Sequence, residues 1–224
     1  MKDNSVLRLG GACAILLGIV GALGSLTYLL LPVDQRLGVP ASRILPSIAQ
    51  GAPLLNIQFM ELALVGVLGL AVVPAISELV RKGNEGWVHW TGTLALIGFA
   101  VSAVSNLFTM GRLPGIAAAY VAGEAATKAA LVPVWRSTFD LYGIWGYGMV
   151  GVWIFVISLL ALRGAAYSRI LAILGLVAGV SYALIPAAFL LRQPTLFIVA
   201  AVPGGLASTL WFIWVGLAAR RSAS

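Results

Sequence analysis

The sequence contains very few of the residues that build catalytic centres and metal sites. It has one cysteine, Cys13, and one histidine, His89, among 224 residues. A single cysteine excludes a disulfide within the chain. A single histidine excludes a bis-histidine haem and disfavours a histidine-rich metal site. We therefore expect no metal, no cofactor and no set of catalytic residues.

Charge is also scarce. Only 9% of the residues are charged and 61% are hydrophobic, whereas a soluble domain carries roughly a quarter of charged residues. Such a chain cannot cover a surface that faces water, so the composition indicates an integral membrane protein. The net charge of +7 comes from positive residues that flank apolar stretches. Because the sequence has no basic stripe or aromatic platform, we expect no nucleic-acid partner.

Long apolar runs are what the sequence has in abundance. About 20 apolar residues are needed to cross a hydrocarbon core of roughly 30 Å, and six stretches reach that length. They predict an all-α integral membrane protein that forms a single transmembrane domain, 1–224. The predicted transmembrane helices cover about 9–31, 57–80, 88–110, 141–162, 170–191 and 196–218.

Two of the connections are long. Residues 32–56 are rich in proline and glycine and are expected to pack over the bundle. Residues 111–139 are expected to form an outer loop, and the alanine-rich stretch in their middle predicts a short interfacial helix on the membrane surface. A re-entrant segment is the alternative. Asp140 follows, where it is expected to cap the next transmembrane helix.

The remaining links are short and basic, and both ends of the chain carry positive residues. Because Lys and Arg are enriched in cytoplasmic connections, we expect both termini to be cytoplasmic. The plan of six spans with two long outer loops resembles that of many small bacterial membrane proteins. A bacterial plasma membrane is therefore the expected location.

Glu61 is the one charged side chain well inside an apolar span. It is expected about four residues, or roughly 6 Å of helix rise, below the outer end of its span. Gln58 lies one turn away, and Asn106 is at similar depth on the adjacent span. Arg112 and Arg136, at the ends of the long loop, could reach down to Glu61. The sequence predicts an outward-facing ligand site at this level, built from Gln58, Glu61, Asn106, Arg112, Arg136, Tyr142, Tyr147 and Tyr182.

An intramembrane carboxylate is a functional hypothesis by default. Glu61 could bind a cation, carry a proton or orient a ligand amine. Alternatively, it could hydrogen-bond to Asn106 or to a tyrosine and only hold two helices together. The sequence leaves both interpretations open.

The lack of catalytic groups and the glycine-rich helix faces favour a non-enzymatic multi-pass membrane protein. It would be an accessory subunit or a binder of lipid or of another apolar small molecule. The expected partners are membrane lipid and either a partner membrane protein or a second copy of the chain. The second hypothesis is a small transporter or channel that uses Glu61 for a cation or proton. The third is a lipid-modifying enzyme that uses Glu61 with Asp140, or Glu124 with Lys128.

Overall fold

The computed structural model describes residues 4–36, 39–137, 140, 143–191 and 193–223. Within these residues every regular element is helical, and six helices are long and apolar enough to cross a membrane. The prediction of an all-α membrane protein with six transmembrane helices is confirmed.

The helices alternate between long spans and short outer elements. The long ones are α1 (Asn4–Leu30), α3 (Pro53–Val80), α4 (Glu85–Ala122), α6 (Ile144–Gly164), α7 (Arg169–Leu190) and α8 (Pro194–Ser222). The short ones are α2 (Ala41–Ala49) and α5 (Ala125–Arg136), and a 3-10 turn (Val33–Gln35) precedes α2.

The long helices form a closed ring. Each packs against the next long helix along the chain, and α8 returns to pack against α1. Because consecutive spans run in opposite directions, α1 begins and α8 ends at the same end of the bundle. There the guanidinium of Arg8 donates a hydrogen bond of 3.4 Å to the carbonyl oxygen of Ala223. We call this the terminal end and the opposite one the cap end.

Glycines allow the helices of the ring to approach closely. A side-chain carbon at Gly66 in α3 would lie 2.6 Å from the backbone of both Phe99 and Ala103 in α4. Gly151 in α6 lies in the same way against the backbone of Gly179 and Ala183 in α7. Transmembrane helices associate through such small-residue contacts because lipid leaves no hydrophobic driving force between them.

An aromatic core fills the ring towards its terminal end. The ring of Trp153 stands edge-on to that of Trp211 at 5.9 Å and to that of Phe99 at 6.4 Å. Trp153 and Trp211 are completely buried. The indole N–H of Trp153 donates a hydrogen bond of 3.1 Å to Oγ of Ser77, so this buried polar group is satisfied within the bundle.

A second hydrophobic cluster lies outside the ring at the cap end. It joins α2 to the last three turns of α4, where Leu113, Ala117 and Tyr120 are buried on one face. This burial explains why α4 runs on to Ala122 although its apolar run ends near Met110. Pro114 lies inside this helix, where a proline removes one backbone hydrogen bond and crowds the carbonyl group four residues earlier. The buried face of Leu113, Ala117 and Tyr120 offsets that cost. We call α2, residues 111–122 and α5 the cap.

The segment 111–139 therefore holds the end of α4 and the separate helix α5. The two helices meet at Gly123, whose backbone is extended. Lys128 of α5 folds back so that its ammonium nitrogen lies 6.0 Å from the ring centre of Tyr120. The position of α5 at a membrane interface stays a prediction.

Candidate functional site

Glu61 lies between α1 and α3, in the half of the ring towards the cap end. The hydroxyl of Thr27 in α1 donates a hydrogen bond of 3.1 Å to Oε1 of Glu61. Oε2 is buried and accepts no hydrogen bond from the part of the chain that the structure describes. A carboxylate can accept about four hydrogen bonds, so this one is only partly satisfied.

Gln58 has an unpaired oxygen one turn away. Its side chain is buried, with 8% exposed, and Oε1 finds no donor among the described residues. Gln58 shares a helix face with Val65 and Val72, which pack into the aromatic core. The amide therefore faces the interior of the ring.

Gly24 of α1 brings the two side chains together. A carbon added at Gly24 would lie 3.4 Å from Nε2 of Gln58 and 3.6 Å from Oε2 of Glu61. One turn of α1, from Gly24 to Thr27, thus lines the site on the side opposite α3. Native proteins rarely leave buried acceptors without a donor, so these two oxygens are the acceptors that the described residues leave available at this level.

Tyr147 and Tyr182 meet on the other side of the ring. Their rings stand edge-on, with centres 5.2 Å apart. The hydroxyl of Tyr182 donates a hydrogen bond of 3.0 Å to Oγ of Ser208 in α8. Asp140 and the hydroxyl of Tyr28 lie near enough to interact electrostatically with Tyr147. These tyrosines link α6, α7 and α8 at the level of the cap end.

Asp140 caps α6, as the sequence predicted. Its carboxylate oxygens accept hydrogen bonds of 2.9 Å from the backbone N–H groups of Trp145 and Gly146. Those groups belong to the first turn of the helix and have no intrahelical partner. Both oxygens of the carboxylate are thus occupied by the first turn of α6.

Other predicted site residues point elsewhere. Nδ2 of Asn106 donates a hydrogen bond of 2.7 Å to the carbonyl oxygen of Ser102, within its own helix. Arg112 is part of α4, and its guanidinium lies 4.9 Å from the ring centre of Phe108. Tyr142 and the side chain of Arg136 lie outside the described residues.

Two cavities in the described part of the molecule lie away from Glu61. The first, of about 10 Å³, lies in the cap between Phe108, Arg112 and Trp135. The second, of about 350 Å³, lies at the terminal end beside the α6–α7 link. The predicted open pocket at Glu61 therefore stays a prediction. What the structure contains there is a contact between α1 and α3 formed by Gly24, Thr27, Gln58 and Glu61, which we call the Glu61 seam.

Thr27 and Gly24 are the site residues that the sequence did not single out. A threonine and a glycine inside an apolar span look like ordinary packing residues. Their spacing of three was the available signal, because it places both on one helix face. Among the described residues no group of three or more His, Cys, Asp or Glu could hold a metal ion.

The chain belongs to a family described as Domain of unknown function (DUF4386), whose family model matches residues 10–216. The match covers all six long helices in whole or in large part, and so includes the Glu61 seam. No curated protein and no solved structure matches the chain.

Proposed function

We propose that this DUF4386 protein is a non-enzymatic multi-pass membrane protein that binds a small amphipathic amine at Glu61. The observation that carries the proposal is the pair of buried oxygens without donors, Oε2 of Glu61 and Oε1 of Gln58. A primary ammonium group has three N–H donors and a positive charge. It could satisfy both oxygens and neutralise the carboxylate.

The surroundings of the seam favour an apolar body on the ligand. Ile57 and Leu64 lie one turn on either side of Glu61 and are 49% and 44% exposed. Leu23, next to Gly24, is 50% exposed. Within a membrane these side chains face lipid, so a short alkyl chain could lie along them while its ammonium group enters the seam.

The test uses purified protein in lipid nanodiscs and butylammonium chloride as the probe. Butylammonium should raise the free energy of unfolding, by about 2.7 kcal/mol when its concentration is 100 times the dissociation constant. Butyltrimethylammonium has the same charge but no N–H donor, so it should stabilise the protein much less.

Glu61→Gln should abolish the stabilisation by butylammonium. Glu78→Gln is the matched control, because Glu78 lies on the same helix at the other end, in an exposed ion pair of 3.0 Å with Arg81. It should respond as the unmodified protein does. An equal response of both variants, or of both probes, would show that the amine acts through the lipid and not at Glu61.

Transport of the same kind of cation is the second candidate. It is favoured by Gln58, which places an unpaired amide oxygen inside a closed ring of helices. The completely buried aromatic core and the unbroken α8, which runs through Pro203, do not favour it. Methylammonium uptake into proteoliposomes that falls on Glu61→Gln would support transport, and uptake equal to that of empty liposomes would dismiss it.

We also infer that the protein resides in a bacterial plasma membrane with both termini in the cytoplasm. The terminal end carries the basic residues of the short links and of α8: Arg81, Lys82, Arg163, Arg169, Arg220 and Arg221. In this orientation the Glu61 seam opens towards the outer face of the membrane.

A further inference from the structure

The larger of the two cavities lies at the terminal end, beside the short link between α6 and α7. Its volume is about 350 Å³, and it is lined by Leu162, Ala165, Tyr167 and Arg169. This volume falls within the range of roughly 300–1,000 Å³ that small-molecule sites occupy. Ala165 and Arg169 are exposed, so the cavity opens to the outside of the bundle. We call it the α6–α7 cavity.

The wall of this cavity is held from within the bundle, whereas its charged lining residue is free. The hydroxyl of Tyr167 lies against Ser158 and Trp211, so the tyrosine ring is fixed in place. Arg169 forms no ion pair with any described residue, and neither does Arg163 at the other end of the link. A guanidinium carries five N–H donors and a permanent positive charge. The cavity therefore offers unused donors and an uncompensated charge.

The last third of the chain supplies no negative charge of its own. Residues 141–224 contain no Asp or Glu but five arginines: Arg163, Arg169, Arg192, Arg220 and Arg221. The α3–α4 link at the same end differs, because Glu78 pairs with Arg81 there at 3.0 Å. The charge at the α6–α7 cavity is thus complementary to an anion from outside the chain.

An apolar face of α7 continues from this cavity along the membrane-spanning part of the helix. Ile173, Val177 and Val180 follow Arg169 on one helix face. They are 45%, 43% and 45% exposed, so they contact lipid tails within a membrane. An acyl chain that lies along this face brings its headgroup to Arg169.

We propose that the α6–α7 cavity binds the phosphodiester headgroup of an anionic phospholipid through Arg169, with Arg163 as a second source of positive charge. A planar guanidinium can donate to two phosphate oxygens at once. Basic pockets between transmembrane helices bind anionic headgroups by this chemistry. The site is separate from the Glu61 seam and does not depend on whether an amine binds there.

Native mass spectrometry of the full chain in detergent micelles tests the proposal. The protein is titrated with dioleoylphosphatidylglycerol or with dioleoylphosphatidylcholine, which has the same acyl chains but no net charge. The first phosphatidylglycerol molecule should bind at least about fivefold more tightly than the first phosphatidylcholine molecule. Inorganic phosphate should not displace it, because the free ion lacks the acyl chains. Equal binding of the two lipids, or displacement by phosphate, would overturn the proposal.

Arg169→Gln should abolish the preference for phosphatidylglycerol, and because Arg169 is exposed this change should leave the fold intact. Lys82→Gln is the matched control, because it removes the same charge from the other short link at the terminal end. It should keep the preference, as should Glu61→Gln. An equal loss in Arg169→Gln and Lys82→Gln would mean that the lipid responds only to the net charge of this end, which would refute a site at Arg169.

Leu162→Trp tests whether the headgroup enters the cavity. It keeps every charge but fills part of the space that Leu162 lines, so it should weaken the binding of phosphatidylglycerol as well. Unchanged binding in this variant would place the headgroup outside the cavity and contradict the proposal.

Discussion

Asp140 illustrates how much a single side chain can do where a transmembrane helix begins. It satisfies two backbone N–H groups in the first turn of α6, and its charge is favourable at the positive end of the helix dipole. Its own backbone is left-handed, with φ +50°. Asp and Asn tolerate this conformation better than residues with apolar side chains do.

We therefore expect Asp140→Ala to lower the free energy of unfolding by about 1–2 kcal/mol. Asp140→Asn should lower the free energy of unfolding by less, because Asn keeps one acceptor oxygen and tolerates the left-handed backbone conformation. Unfolding in mixed micelles by titration with SDS measures both changes.

The control for Asp140 is Asp34→Asn. Asp34 pairs with Arg43 at 2.6 Å, but both side chains are about half exposed, and exposed pairs contribute at most about 1 kcal/mol. If Asp140→Ala lowers the free energy of unfolding no more than Asp34→Asn does, the hydrogen bonds of Asp140 to the first turn do not stabilise α6 in the way described.

At the level of single residues the sequence predicted the charged member of the site but not its partners. Glu61 stands out because ionisable side chains are rare and energetically costly inside transmembrane segments. Thr27 does not, because a hydroxyl can also bond to its own helix, as Thr109 does to Ser105. The sequence indicated that Arg112 could reach Glu61, whereas in the structure Arg112 lies on the continued α4 helix with its guanidinium over the ring of Phe108.

At the level of elements, hydropathy predicted which segments cross the membrane better than it predicted where each helix begins and ends. Hydropathy falls where a helix leaves lipid, whereas the helix itself ends where its packing ends. In α4 these two points differ, because the residues beyond Met110 bury one face in the cap. The same reasoning explains α2, a short amphipathic helix in a stretch whose prolines and glycines predicted a loop.

Helix packing gives a prediction at Gly66. Gly66→Ala would place a methyl group against the backbone of α4, so α3 and α4 would have to separate. We expect the free energy of unfolding to fall by about 1–3 kcal/mol, as for an overpacked core. The same SDS titration measures it.

Gly115→Ala is the matched control for Gly66→Ala. Gly115 is also helical, but nothing lies within 4 Å of an added carbon there. Because Ala is the better helix former, this variant should gain up to about 1 kcal/mol. Equal effects of the two substitutions would mean that the α3–α4 contact is looser than the structure shows.

At the level of the whole molecule, the ring holds the Glu61 seam towards the cap end and the aromatic core of Trp153 and Trp211 towards the terminal end. The sequence predicted the number of spans and their alternating directions from apolar runs and basic links. It could not predict the closure of the ring by α1 and α8, because pairing between distant helices depends on glycine contacts such as Gly18 against Ile213.

The orientation of this ring decides which side of the membrane reaches Glu61, and it can be tested with single cysteines. In a Cys13→Ser background, Ser42→Cys places a thiol on the exposed face of α2 and Ser222→Cys places one at the end of α8. Because the short basic links lie at the terminal end, we expect that end in the cytoplasm. A membrane-impermeant maleimide should then label Ser42→Cys in intact cells and Ser222→Cys only after lysis.

The reverse labelling pattern would place the seam on the cytoplasmic side, and an amine would have to reach it from within the cell. Labelling of both cysteines in intact cells would mean that the chain inserts in both orientations. In that case the seam would open to the outside in some molecules and to the cytoplasm in the others. The excess of positive residues in the short links would then be too small to orient the bundle, although it anchors each helix at the interface.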